Sequence, residues 1–271
     1  MDSMKLVDVP KKFFGVGLPY IDQQELKGKI IVIEGTDGVG RSTQIALLRD
    51  WLEVQGFATM ETGWTRSELI GQTITEAKEG HSLNKWTFNL LYATDFADRM
   101  ENQIIPALRA GYIVLADRYI YTAFARAHVR GVDPQWVRDL FGFALVPDIV
   151  FYLKIDVKTL IQRVLEAGGM DYWESGQDQN PHSDMYDSFR KYQSQLLRVY
   201  DQLALEYQFR VLNARHSVHR TQLALQQAIT EYLFEKPKMP GPRRKSSNLK
   251  TPSSKRATGE ALKRATKGLP L

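Results

Sequence analysis

Five short segments rich in apolar residues punctuate the chain and read as strands: Ile30–Glu34, Phe57–Glu61, Tyr112–Ala116, Ile149–Ile155 and Phe209–Leu212. Ile30–Glu34 and Tyr112–Ala116 are near-continuous apolar runs, which predict strands buried on both faces, as in a parallel sheet. Between them, apolar residues recur at helical spacing. Ser42 to Gln55 carries Ile45, Leu48, Trp51 and Leu52 on one face and stops at Gly56. Helical patterns also cover Glu68–Lys78, Leu83–Arg109, Tyr119–Val129, Gln135–Ala144, Val157–Glu166, Tyr186–Tyr207 and Val218–Phe234. Pro106 is a kink point in the long third segment, and Asp156 is placed to cap the helix at Val157. Strands alternating with helices predict an α/β fold, a doubly wound parallel sheet of about five strands.

The remaining segments set the domain limits. Residues 1–28 hold Phe13, Phe14, Leu18, Pro19 and Tyr20, too apolar for a free tail, and predict an arm packed on the domain. The domain runs from 29 to 235. Within it, residues 167–185 are polar and rich in Gly, Asp and Asn, a mobile loop by composition. Residues 236–271 contain five of the eleven prolines and much Ser, Lys and Arg, so a disordered tail is expected.

Composition changes this picture at three points. Hydrophobic content of 43% suits a buried core, but no apolar run reaches the ~18–20 residues that span a bilayer. The chain has no cysteine, which excludes disulfides and thiolate chemistry; a cytoplasmic location is expected. The net charge of +5 is unevenly spread: 236–271 has 11 Lys and Arg against one acid, whereas 1–235 has 25 bases and 30 acids, a net −5. Basicity therefore belongs to the tail, whose cations offer a non-specific nucleic-acid contact by counterion release.

The candidate chemistry begins where the first strand ends. Ile30–Glu34 runs into Gly35-Thr36-Asp37-Gly38-Val39-Gly40-Arg41-Ser42-Thr43 and then into a helix. A strand, a glycine-rich turn and a helix N-terminus aim backbone N–H groups and the helix dipole into one concavity, an anion site. The spacing is G-x-x-x-x-G-K-[ST], with Arg41 in the lysine position. Arginine keeps the charge, but its planar fork is not a point charge. Ser42 offers a hydroxyl to Mg²⁺. A carboxylate and an arginine, Asp117 and Arg118, stand at the end of a later buried strand, fit to hold a metal-bound water and a phosphate.

The order of several motifs resembles that of thymidylate kinases, P-loop nucleoside monophosphate kinases. EGTDGVGRSTQ at the P-loop is followed by Arg66-Ser67, LLYATDF, Asp117-Arg118-Tyr119, PDIVFYLKID, MDYWE at 170–174, FRKYQ at 189–193 and VLNA at 211–214. The resemblance spans about residues 28–234. It implies a P-loop fold with five parallel strands in the order 2-3-1-4-5, a lid at about 167–185, a homodimer, and phosphoryl transfer from Mg-ATP to dTMP. It also implies residue roles. ATP binds Gly35, Thr36, Asp37, Gly38, Val39, Gly40, Arg41, Ser42 and Thr43. Asp37, Arg41, Asp117 and Arg118 serve catalysis, and Ser42 and Asp117 the Mg²⁺. Asp37, Arg66, Phe96, Arg118 and Tyr119 surround the acceptor.

Three departures from the family pattern stand out. Arg41 replaces the P-loop lysine. The catalytic arginine of P-loop or lid is absent: the loop has Gly38, and Val164–Phe189 holds no Lys or Arg, so only the flanking Arg163 and Arg190 could reach in. The thymine-reading arginine aligns with Phe96, and the polar residue after Asp-Arg-Tyr with Ala127, next to Arg126. Two alternatives stay open: a kinase of this fold for another nucleotide or nucleoside, and a nucleotide-binding module without transferase activity.

Overall fold

The computed structural model describes residues 6, 7, 9–81 and 83–234. The basic tail and its expected nucleic-acid contact lie outside the described residues. The strands are β1 (Lys29–Glu34), β2 (Thr59–Gly63), β3 (Ile113–Asp117), β4 (Ile149–Lys154) and β5 (Arg210–Asn213). They form one sheet in the order β2-β3-β1-β4-β5, all parallel, with Ile31 opposite Leu115 on one side and Ile149 on the other. This is the order the sequence resemblance implied. The helices are α1 (Arg41–Val54), α2 (Gly71–Glu79), α3 (Lys85–Arg99), α4 (Ile105–Arg109), α5 (Ile120–Val129), α6 (Pro134–Leu140), α7 (Val157–Glu166), α8 (Met185–Glu206) and α9 (Val218–Leu233).

The three central strands β1, β3 and β4 are buried on both faces, which is why they read as near-unbroken apolar runs, whereas the edge strands β2 and β5 are partly exposed and more polar. Ile30, Val32, Val114, Ala116 and Tyr152 pack beneath α3, α5 and α8. Ile31, Ile33, Leu115, Phe151 and Leu153 pack beneath α1, α7 and α9. The N-terminal arm lies against the first of these layers: Phe14 meets the rings of Tyr121, Phe124 and Tyr207 at 5.8–6.5 Å, and Phe13 bridges Leu145.

Two elements differ from expectation. The helix expected over Gln135–Ala144 ends at Leu140, and Phe141 and Leu145 turn into the core as loop residues. The long third helix is not α-helical throughout as it nears Pro106. It widens instead into a π turn over Met100–Ile104, in which the Ile105 N–H donates to the Met100 carbonyl five residues back. Proline has no N–H to continue the α pattern, so the register slips just before it.

One buried charge links the sheet to the site. Glu34, at the end of β1, is fully buried and accepts from the Tyr119 N–H (2.8 Å), the Thr122 hydroxyl (2.7 Å) and the Tyr200 hydroxyl (3.1 Å). Burial holds its carboxyl above the usual value of 4.5, against the opposing effect of those donors. The unfolded chain therefore releases this proton first, so the group's contribution to stability is complete below pH 4.5 and is lost as pH rises through its folded pKa. Glu34→Gln removes that dependence. In urea denaturation across a pH series, wild type should lose stability relative to the variant as pH rises above 4.5. Parallel curves would refute the assignment.

Candidate active site

Three neighbouring strands end side by side, and the loops that follow them build the site. After β1 comes the glycine loop. Gly38 and Gly40 have φ of +75° and +97°, a conformation that L side chains rarely adopt. A Cβ at Gly38 would also stand 2.8 Å from a Val164 methyl of α7, so a side chain here would displace Val164 as well as strain the backbone. Arg41 opens α1 and is almost fully buried. Its Nε donates to Asp117 Oδ1 (2.6 Å) and Nη1 to the Gly35 carbonyl (2.7 Å) and the Thr36 carbonyl, while Nη2 lies 3.4 Å from Asp37 Oδ1. Arg41 thus braces the loop on which it stands and ties it to the end of β3.

After β2, the chain turns through Gly63-Trp64-Thr65-Arg66-Ser67. Asp95 of α3 organises this turn: its carboxylate accepts from the N–H groups of Thr65 (3.2 Å) and Ser67 (3.0 Å) and pairs with Arg99 (2.9 Å). Thr65 is held at φ +61°. Gly71, at the start of α2, presses on this loop; a Cβ there would lie 2.7 Å from the Thr65 carbonyl. The result is a fixed platform for Arg66.

After β3, Arg118 has φ +68°, which is strained for a residue with a side chain. Two hydrogen bonds hold it there: its own N–H donates to the Ile33 carbonyl (3.0 Å), and the next N–H donates to Glu34. The backbone therefore aims the guanidinium across the site, where Nη2 touches the Asp37 carboxylate. Among the described residues its Nε and Nη2 make no well-formed hydrogen bond. Burial, with Arg126 alongside, pushes its pKa down to about 10, which still leaves it cationic at neutral pH.

These loops enclose a cavity of about 140 Å³ lined by Arg41, Gly63, Trp64, Thr65, Arg66, Lys78, Tyr92, Asp117, Arg118, Arg126 and Glu174. Five cations face two carboxylates there, so the cavity suits an anion. Asp37 stands behind it, its carboxylate shared by Arg41, Arg118 and Arg126, the last at 3.0 Å. Ser42 donates to Asp117 Oδ2 (3.1 Å), placing two hard oxygens side by side at the edge of the glycine loop.

The structure brings together Asp37, Arg41, Ser42, Arg66, Asp117 and Arg118 from the expected set. It does not bring Phe96 or Tyr119. Phe96 is a core residue, packed edge-on to Tyr119 (5.0 Å) and beside Trp64 (5.5 Å), with Arg99 over its ring. Tyr119 points away from the cavity and donates its hydroxyl to the Leu145 carbonyl (2.8 Å). The aromatic walls are Trp64 and Tyr92 instead. Of the flanking arginines, Arg163 donates to the carbonyls of Val39 (3.2 Å) and Ala214 (2.8 Å), behind the glycine loop, and Arg190 pairs with Asp187 at the surface. Arg126 was visible in the sequence only as the neighbour of Ala127, the lone arginine of a mostly apolar helix. Tyr92 and Glu174 lay within the motifs LLYATDF and MDYWE without being singled out, and Lys78 gave no signal.

The polar segment 167–184 is firmly anchored. Trp173 enters a cluster with Ile74, Phe88 and Tyr92 and donates its indole N–H to the Lys78 carbonyl (2.9 Å). Arg130 pairs with Asp178 (2.9 Å), and Gln193 donates to the Glu174 carbonyl (2.7 Å). Through these contacts the segment presents Glu174 to the cavity.

A glycine loop on β1, an acid and an arginine on β3, and a second arginine after β2 define a P-loop phosphotransferase acting on a small phosphorylated acceptor. A sequence model of the thymidylate kinase family matches residues 33–224. A protein of Saccharolobus solfataricus named probable thymidylate kinase 2 is 37% identical over 210 residues, covering 77% of this chain and 98% of that one. The probable thymidylate kinase of Thermococcus kodakarensis is 38% identical over 49% of this chain and 70% of its own. The thymidylate kinase of Brachyspira hyodysenteriae is 29% identical over 61% and 83%. The chain belongs to the thymidylate kinase family.

Proposed function

We infer that this protein transfers the γ-phosphoryl group of ATP to dTMP, giving dTDP and ADP. The observation that supports this reading is the convergence of Arg66 and Arg118 on one cavity beside the glycine loop, a place fit for an acceptor phosphate next to ATP. The loop's backbone N–H groups cradle the ATP phosphates. Arg118 and Arg66 orient the acceptor, and the reaction gains chiefly from position and fixed charge. Ser42 and Asp117 fit Mg²⁺, which takes one or two protein oxygens together with substrate phosphates and water. Bound there, the ion would neutralise phosphate charge.

Two further parts of the reading follow. A second copy of the chain is expected to pair through the exposed apolar side of α3, where Trp86 and Leu90 stand out and Trp86 meets Trp136 edge-on at 4.7 Å. A cytoplasmic location suits soluble nucleotide substrates; among the described residues no helix is long and apolar enough to cross a membrane. The test is coupled ADP release with dTMP, dUMP, dCMP, UMP and thymidine as acceptors. dTMP should give the highest kcat/KM. Turnover of another acceptor with none of dTMP would overturn the assignment.

A further inference from the structure

The cavity has a second polar group that phosphate binding does not use. Arg41, Arg66 and Arg118 come from the strand ends. Lys78 comes from α2, Arg126 from α5 and Glu174 from the segment before α8, and these three line the same cavity with Tyr92 and Trp64. Among the described residues the Lys78 ammonium makes no hydrogen bond or ion pair, and burial, then the nearby Arg126, lowers its pKa. Arg126 uses one nitrogen on Asp37. A lysine so placed has its ammonium available to an acceptor atom of a ligand in the cavity. The aromatic that aligns with the family's base-reading arginine, Phe96, is sealed in the core and cannot supply this recognition.

We propose that Lys78, Arg126 and Glu174 read the base of the acceptor nucleotide and select a pyrimidine with an imide edge. Thymine and uracil present two carbonyl oxygens flanking one N–H. Two donors and one acceptor complement that edge: Lys78 and Arg126 meet the carbonyls, and Glu174 takes the imide N–H. Cytosine presents an exocyclic amino group and a bare ring nitrogen in place of one carbonyl and the N–H. Against this set the amino group faces a cation and the ring nitrogen faces a carboxylate. A site built to hydrogen-bond one pattern rejects its inverse because its own buried groups are left unpaired. Trp64 and Tyr92 pack on each other, centroids 5.4 Å apart and planes tilted by 48°, and together form an aromatic side of the cavity. This inference rests on the acceptor being a nucleoside monophosphate, as argued above.

The test is calorimetric binding of dTMP, dUMP and dCMP to the full-length protein, repeated on Lys78→Met and Glu174→Gln, with steady-state kinetics on the same panel. Wild type should bind dTMP and dUMP at least about 100-fold more tightly than dCMP, and each variant should compress that ratio by about tenfold or more. The compression should come mainly from weaker dTMP binding. Thermal melting of each variant with and without ATP shows that the fold and the glycine loop survive. Ratios unchanged in both folded variants, or a wild type that binds dCMP as well as dTMP, would overturn the proposal even where dTMP turnover is confirmed. Binding is read without turnover, so the proposal is judged even if no acceptor is phosphorylated.

Discussion

Arg118→Gly should lower kcat/KM for the acceptor by about a thousandfold or more while leaving the fold intact, the scale at which a transition-state arginine or a fixed anion donor acts. Two features make this expectation specific. The residue is held at φ +68° by hydrogen bonds to its own backbone N–H and to the next one, and glycine adopts that conformation without strain. The variant should therefore melt within a few degrees of wild type. What disappears is the guanidinium alone, whose Nε has no protein hydrogen bond among the described residues and whose Nη2 touches only the Asp37 carboxylate; moved off that contact, the two can take phosphate oxygens as a fork. Arg118→Lys restores charge without the fork, and should recover at most about tenfold of the loss. The measurement is ADP release with acceptor varied at saturating ATP, beside a thermal melt. Wild-type kcat/KM in a folded Arg118→Gly would remove Arg118 from the acceptor site.

That arginine also shows what the linear sequence could and could not reveal. Asp117-Arg118 was conspicuous because it closes an unbroken apolar run, the same pattern that marked the central strands β1 and β4; the more polar edge strands β2 and β5 were read from weaker apolar segments. The glycine loop was legible because strand, turn and helix lie within fifteen consecutive residues. Recognition residues on separate elements were not. Lys78, Tyr92 and Glu174 meet only when α2, α3 and the segment before α8 fold together. Helical spacing shows that Phe96 and Tyr119 face inward, yet both interior and cavity lie inward, and burial put these two rings in the interior. The register slip at Met100–Ile104 was hidden as well, because a π turn leaves the apolar pattern nearly undisturbed while it changes the hydrogen bonds. Segment 167–184 read as mobile because most of its residues are polar; its buried residues, Trp173, Ser175 and Gly176, are too few to change its composition.

Arg41→Ala should damage both stability and turnover, whereas Arg41→Lys should remain active at a level reduced about ten- to a hundredfold. The reason lies in what the guanidinium touches. It reaches the Gly35 and Thr36 carbonyls at the loop's entrance, Asp37 within it and Asp117 on the neighbouring strand. A planar group with five donors can span these acceptors, but an ammonium on a flexible stem cannot. Alanine leaves a partly buried carboxylate and two loop carbonyls without their donor, a loss of about 2–3 kcal/mol, at or just below the range for breaking a buried pair because Asp117 keeps some access to water. Freed from that brace, the glycine loop should sample shapes that do not match a triphosphate, so kcat should fall about a hundredfold or more, together with weaker ATP binding. Lysine keeps a positive charge at the loop's entrance and can satisfy part of the set, so its loss should be smaller in both respects. Thermal melts with and without Mg-ATP, paired with KM for ATP and kcat, separate the two contributions. If Arg41 mainly braces the loop, the melting temperature of ligand-free Arg41→Ala drops and ATP recovers part of it. A variant with unchanged ligand-free melting and only a raised KM for ATP would show that the arginine leaves its carbonyls and serves the phosphates directly.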